Sequence, residues 1–258
     1  MLRYRIIPTL LLHNKGLYKT VQYSIKKGKY VGDPVNAIKI FNDKGVDELI
    51  FLDIDASKEK RVPDFEIIKK IASECFMPVA YGGGIRTLDR IKQLFQIGIE
   101  KVVLNTALLM DVTFLKQASS LYGAQSIVAS VDIKKNFFGV PKVYNSATKK
   151  NMSYDLSAYL KLLEENGAGE IYLSFVDRDG MLNGYDIGLI KTISKDIRVP
   201  IIVNGGAKTV EDFVNIIQNT NITSFSAGSM FVFNGPHKAV LITYPNYETL
   251  LEKLKKGI

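Results

Sequence analysis

The residues best suited to chemistry stand at the ends of short apolar runs. Asp132 closes Ile127–Asp132, Asp177 and Asp179 follow Glu170–Phe175, and Asp53 and Asp55 lie at the end of Glu48–Asp53. Carboxylates so placed serve as general acids or bases, or else cap loops and pair with cations. Asp132 is the strongest candidate, because alternation from Ile127 leaves it free to face the mouth of whatever these runs enclose. Two glycine turns accompany the carboxylates: Gly82-Gly83-Gly84-Ile85-Arg86-Thr87 and Asn204-Gly205-Gly206-Ala207-Lys208-Thr209. Glycine lets the backbone approach an anion, and the first amides of the next helix then point at it. Small polar turns, Asn105-Thr106 and Gly228-Ser229, would add donors. Such glycines also serve merely to turn the chain tightly. Two at matching places imply two phosphate sites, and a substrate with two phosphate ends.

The matching places belong to a repeat. Shifted by 122 residues, Gly45-Val46-Asp47-Glu48-Leu49-Ile50 falls on Gly167-Ala168-Gly169-Glu170-Ile171-Tyr172, Asp55 on Asp177, and Gly83-Gly84 on Gly205-Gly206. Thr87 falls on Thr209, and Asn105-Thr106-Ala107 on Ala227-Gly228-Ser229. One offset over separate blocks implies a duplicated half, about 1–122 and 123–258. Apolar runs at Ile6–Leu12, Glu48–Asp53, Pro78–Tyr81, Lys101–Leu104, Ile127–Asp132, Glu170–Phe175, Pro200–Asn204 and Ser224–Ala227 read as buried strands. Segments of helical period lie between them: Asp33–Asn42, Asp64–Cys75, Thr87–Ile97, Val112–Tyr122, Leu156–Asn166, Tyr185–Ser194, Thr209–Asn219 and Tyr247–Lys256. This is the arithmetic of one α/β domain over residues 1–258, a (β/α)8 TIM barrel with an internal two-fold half-barrel repeat. A doubly wound sheet would need a glycine-rich turn after the first strand, and His13-Asn14-Lys15-Gly16 lacks it. Two long polar connections, His13–Val31 and Lys134–Ser153, leave the strand ends where barrel active sites sit, and are expected to be mobile covers.

Composition narrows the function classes. The chain has 258 residues and a net charge of +8, but its lysines come in scattered pairs without interleaved aromatics, which argues against a nucleic-acid reader. A basic surface instead attracts small anionic substrates. The lone Cys75 cannot form an internal disulfide, and with only His13 and His237 a zinc site is not expected. Nothing calls for a metal or cofactor. No run is long enough for a membrane span, and Ile6–Leu12 with Pro8 makes a poor signal sequence, so the expected place is the cytoplasm.

Arg5, Glu48, Lys101 and Glu170 begin strands one, two, four and six, where two acids and two bases would meet at the barrel floor. Ion pairs also plug barrel floors, and spacing alone leaves both readings open. The whole pattern resembles the cyclase subunit of imidazole glycerol phosphate synthase. The segments that carry it are Arg5-Ile6-Ile7, Asp33-Pro34, Asp47-Glu48-Leu49, Leu52-Asp53-Ile54, Gly82–Ile85, Asn105-Thr106-Ala107, Gly167–Ile171 and Asp177-Arg178-Asp179-Gly180 with Gly184-Tyr185-Asp186. The resemblance implies phosphate or substrate contacts at Gly84, Asn105, Thr106, Asp179, Gly180, Gly206, Gly228 and Ser229, a loop lysine at Lys19, and a catalytic aspartate at Asp132. It also implies a glutaminase partner docked at the N-terminal face of the barrel, and an ammonia gate at Arg5, Glu48, Lys101 and Glu170.

One departure matters. The family's other catalytic aspartate would stand at Leu11, flanked by Leu10 and Leu12. His13, two residues on, is a candidate replacement acid, or a phosphate or loop contact. A kept gate with damaged ring-closing chemistry resembles the family's branch in surface-polysaccharide (O-antigen) synthesis. There ammonia turns a sugar N-acetyl group into an acetamidino group, with a separate sugar amidotransferase. The expected substrate is then a phosphorylated or nucleotide sugar. A histidine-pathway cyclase and a non-catalytic ammonia conduit are the alternatives.

Overall fold

Helix starts are set by side chains that accept the first free backbone N–H groups. Asp33 accepts from Asn36 (3.0 Å), with Pro34 in the first turn. Asp64, Asp155 and Asp186 accept from Ile67, Ala158 and Leu189 in the same way. Thr209 and Asp212 form a reciprocal capping box. The computed structural model describes residues 4–255, so the expected helix end at Lys256 lies outside the described residues.

The first half runs β1 (Arg5–His13), β2 (Gly16–Val21), β3 (Ser24–Gly32), α1 (Pro34–Asp43), β4 (Leu49–Asp53) and α2 (Phe65–Glu74). It continues β5 (Val79–Gly82), α3 (Leu88–Gln96), β6 (Lys101–Leu104), α4 (Thr106–Met110) and α5 (Thr113–Tyr122). The second half runs β7 (Ile127–Lys135), β8 (Pro141–Asn145), β9 (Lys150–Asn151), α6 (Leu156–Glu165), β10 (Glu170–Phe175) and α7 (Ile187–Ser194). Then come β11 (Ile201–Asn204), α8 (Val210–Asn219), β12 (Ser224–Ala227), α9 (Ser229–Val232), β13 (Phe233–Asn234), β14 (Ala239–Val240) and α10 (Tyr247–Lys255).

Strands β1, β4, β5, β6, β7, β10, β11 and β12 pair in parallel, and β12 returns to β1, closing the barrel. Alternation along β1 assigns the two faces. Ile6, Leu10 and Leu12 join the large core beneath the helices, whereas Ile7 belongs to a separate cluster inside the barrel. That inner cluster is one apolar layer: Ile7, Ile50, Ala80, Val103, Val128, Tyr172 and Ile202. All but Ala80 lie two residues along the chain from a polar neighbour (Thr9, Glu48, Lys101, Ser130, Ser174 and Asn204), so the barrel interior is stacked in layers.

Both long connections are built rather than open. The segment after β1 folds back as the antiparallel hairpin β2–β3, and the segment after β7 forms β8–β9. The expectation of mobile covers is corrected on this point: ladder hydrogen bonds extend β1 and β7 beyond the barrel rim. The turn of β2–β3 has Gln22 and Tyr23 at φ 50° and 61°, a left-handed pair without the Asn-Gly that usually announces one. The short α4 was also missed, where only a turn was expected. Among the described residues no helix is long and apolar enough to cross a membrane.

Candidate active site

The mouth of the barrel holds a cavity of about 330 Å³. Asp132 lines it from β7 and is 5% exposed. Burial pushes its carboxyl up to about 6, while hydrogen bonds from Tyr23, Ser146 and Asn105 pull the other way. Leu11 lines the same cavity from β1, so the second carboxylate of an acid–base pair is absent there. His13 does not fill the gap. Its Nδ1 lies 2.8 Å from Asp55, and His13 is not among the cavity's lining residues. The loop-contact role fits this geometry, and the replacement-acid role does not.

The other carboxylates sort by their partners. Asp53 accepts from the backbone N–H groups of Asp55 and Ala56 and from Arg61, which makes it a loop cap at the cavity edge. Asp177 accepts from the Lys135 N–H (2.8 Å) and ties the barrel rim to β7. Asp179 is buried and receives hydrogen bonds from the Lys19 ammonium and the Thr20 hydroxyl. Lys19 is itself 5% exposed, so the loop lysine is held in place rather than free in solvent.

The two phosphate cradles differ. Gly84, Asn105 and Thr106 of the first half line the cavity, together with Lys58 and Arg86. Of the second-half candidates Asp179 and Gly228 do; Gly180, Gly206 and Ser229 do not. The β2–β3 hairpin packs against two of the second-half glycines. A Cβ on Gly180 would lie 2.5 Å from the Thr20 carbonyl, and one on Gly228 would lie 3.0 Å from the Lys19 side chain. Gly206, at φ 107°, is demanded by the Gly184 carbonyl, 2.0 Å from where its Cβ would be. These glycines therefore have packing reasons as well as any ligand role. The buried Ser229 hydroxyl has no hydrogen-bond partner, a donor left over beneath the hairpin.

Sequence reading missed the group nearest Asp132. The Tyr23 hydroxyl lies 2.8 Å from Asp132 Oδ1 and 2.7 Å from Ser174 Oγ. Asn204 donates to Ser174 at 2.9 Å, and Ser226 donates to Asn204 Oδ1 at 3.4 Å. Nothing in the local sequence announces Tyr23, because its place depends on the hairpin turn.

At the floor, Arg5 Nη1 lies 3.0 Å from both Glu48 and Glu170, and Lys101 lies 3.1 Å from Glu48 and 3.2 Å from Glu170. The four close a ring of alternating charge. Burial raises the Glu48 carboxyl above its usual range against the pull of Lys101 and Arg5, and Glu170 Oε2 is buried without a partner. Among the described residues, no group of three or more His, Cys, Asp or Glu is placed to hold a metal.

The family profile described as "Histidine biosynthesis protein" matches residues 5–237. The chain belongs to this family. It is 46% identical over 250 residues to a protein of Pseudomonas aeruginosa provisionally named imidazole glycerol phosphate synthase subunit hisF2, covering 97% of this chain and 99% of that one. A provisionally named subunit hisF3 of Vibrio vulnificus is 44% identical, covering 95% and 94%. The imidazole glycerol phosphate synthase subunit HisF of Natranaerobius thermophilus is 38% identical, covering 90% and 92%. The cyclase-subunit family that the resemblance implied and the barrel expected from the residues are thus in hand.

Proposed function

We propose that this protein is the synthase subunit of a glutamine amidotransferase, specialised to supply ammonia for amidination of a sugar rather than to close an imidazole ring. The observation that supports the reading is Leu11, which shares the mouth cavity with Asp132 where the family resemblance expects a second aspartate. Leucine neither gives nor takes a proton, and loss of such a group typically costs about two to four decades in rate. The ring of Arg5, Glu48, Lys101 and Glu170 serves as the ammonia gate, with a glutaminase docked beneath it. The acceptor is a nucleotide or phosphorylated sugar in surface-polysaccharide synthesis, handled with a separate sugar amidotransferase. A first-half cradle open to the cavity beside Lys58 and Arg86, with Gly180, Gly206 and Ser229 of the second half outside its lining, suits a ligand with one phosphate-bearing end.

The test is cyclisation of the ribulosyl-formimino bis-phosphate substrate with excess ammonium, comparing the unaltered protein with Leu11→Asp. The expected result is no turnover by the unaltered protein and a gain in the variant. Turnover by the unaltered protein would overturn the specialised reading and restore that of a histidine-pathway cyclase. That second reading has one specific support, an Asp132 carboxyl at about 6, suited to proton transfer near neutrality. Stimulated glutamine hydrolysis with no acceptor turned over would mark a non-catalytic conduit instead.

A further inference from the structure

We propose that Tyr23 is a positioning residue for Asp132: its hydroxyl ties closure of the β2–β3 hairpin over the mouth to the ionisation of that carboxylate. Three observations carry this. The hydroxyl lies within hydrogen-bond distance of both Asp132 (2.8 Å) and Ser174 (2.7 Å). A phenol has one hydrogen, and an ionised carboxylate can only accept, so that hydrogen goes to Asp132. Ser174 must then donate to the phenol oxygen, and it has its own donor in Asn204 at 2.9 Å. The bonds therefore run one way, from Asn204 to Ser174 to Tyr23 to Asp132, and each polarises the next toward the carboxylate.

The second observation is the backbone. Tyr23 sits at φ 61°, next to Gln22 at φ 50°, a conformation unfavourable for side chains of this size. The turn is held there by contacts to the opposite rim: the Gln22 N–H donates to the Asp179 carbonyl (2.8 Å) and its amide side chain to the Asp177 carbonyl (3.0 Å). The third is the vacancy in chemistry across the cavity, where Leu11 offers no hydrogen bond. With no carboxylate at Leu11, the orientation of Asp132 falls to its hydrogen-bond donors, Tyr23 of the hairpin beside Ser146 and Asn105.

The other charged and titratable groups around Asp132 do not take over this role. Asp179 is committed to Lys19 and Thr20, Tyr172 bonds to Thr9 inside the barrel, and Tyr144 of β8 faces Asp132 without a hydrogen bond to it among the described contacts. Asp177 reaches Lys135 at the rim. Tyr23 is thus the link between the β2–β3 hairpin and the candidate working carboxylate. The inference deepens the reading of Asp132 as the working carboxylate, yet its test needs no turnover.

The test uses Tyr23→Phe, which keeps the ring and removes the hydroxyl. Isotope-edited infrared spectroscopy with labelled aspartate follows the Asp132 carboxyl, assigned by its absence in Asp132→Asn. Loss of a donor to the charged form should move the Asp132 midpoint upward by about one to two pH units. Hydrogen exchange of the hairpin amides should speed up about tenfold in Tyr23→Phe, and by less in Asp132→Asn, whose amide oxygen still accepts from Tyr23. In the unaltered protein, exchange corrected for its chemical pH dependence should quicken as Asp132 takes up its proton. A midpoint unchanged or lowered in Tyr23→Phe would overturn the proposal, as would hairpin exchange indifferent to both substitutions. Failure of the cyclisation test above would leave these readouts untouched, so the two readings fail separately.

Discussion

Asp132→Asn should stabilise this protein, and only where the carboxyl would be ionised. Asp132 is 5% exposed, and burial holds its carboxyl at about 6 against an ordinary 3.8. Between those values the folded chain keeps a proton that the unfolded chain has released. Unfolding free energy therefore falls as pH rises through that window, and the loss is complete above the folded value. At about 1.36 kcal/mol per unit, the gap is worth on the order of 3 kcal/mol. Asparagine keeps the shape, removes the titration, and its amide oxygen still accepts from Tyr23. The variant should match the parent near about pH 4 and exceed it by roughly 3 kcal/mol at about pH 8, a rise in Tm of roughly 6–12 °C. Urea unfolding at a series of pH values measures this directly. A difference that stays flat across the series, or one that favours the parent at high pH, refutes the reasoning.

Two further substitutions probe the mouth. Lys19→Met removes the ammonium from a buried pair and leaves Asp179 with the Thr20 hydroxyl as its side-chain donor; breaking such a pair costs about 3–5 kcal/mol. The hairpin should open locally before the barrel unfolds, and protease cleavage confined to β2–β3 would show it, whereas cleavage no faster than in the parent would count against the latch. Gly206→Ala would put a Cβ 2.0 Å from the Gly184 carbonyl at φ 107°, so it should cost roughly 2–4 kcal/mol in urea unfolding. Gly45→Ala, at φ 63° with open space around it, should cost only about 1 kcal/mol; equal costs would mean that close backbone approach is not what fixes Gly206.

The barrel was legible because its signals are local and repeated. Eight apolar runs and the helices between them follow from burial period and caps such as Asp33 and Asp64, and the offset of the two halves fixed their number. Arg5, Glu48, Lys101 and Glu170 could be placed together because each begins a strand, and strand starts meet at one end of a barrel. The mouth was less legible. Tyr23 reaches Asp132 from a segment 109 positions away, through a turn whose residues carry no turn signature. The covering of Gly180 and Gly228 likewise depends on how a hairpin lies across strands from the other half. His13 shares strand parity with Leu11, but parity says nothing of a bend at the strand end, and Asp55 claims its ring.

Floor and mouth together constrain what can pass through. The ring at the floor is closed by ion pairs, and directly above it lies a fully packed apolar layer that includes Ile7, Val128 and Tyr172. An ammonium ion crossing that layer would lose its water with no charge to meet it, at a cost of several kcal/mol. Neutral ammonia loses far less. Under the proposed function, the carrier must therefore be NH3, released already deprotonated by the glutaminase beneath Lys101. At the far end stands the hairpin that holds Tyr23 on Asp132, and under the proposed function NH3 travels between this hydrogen-bonded closure and the ionic one at the floor.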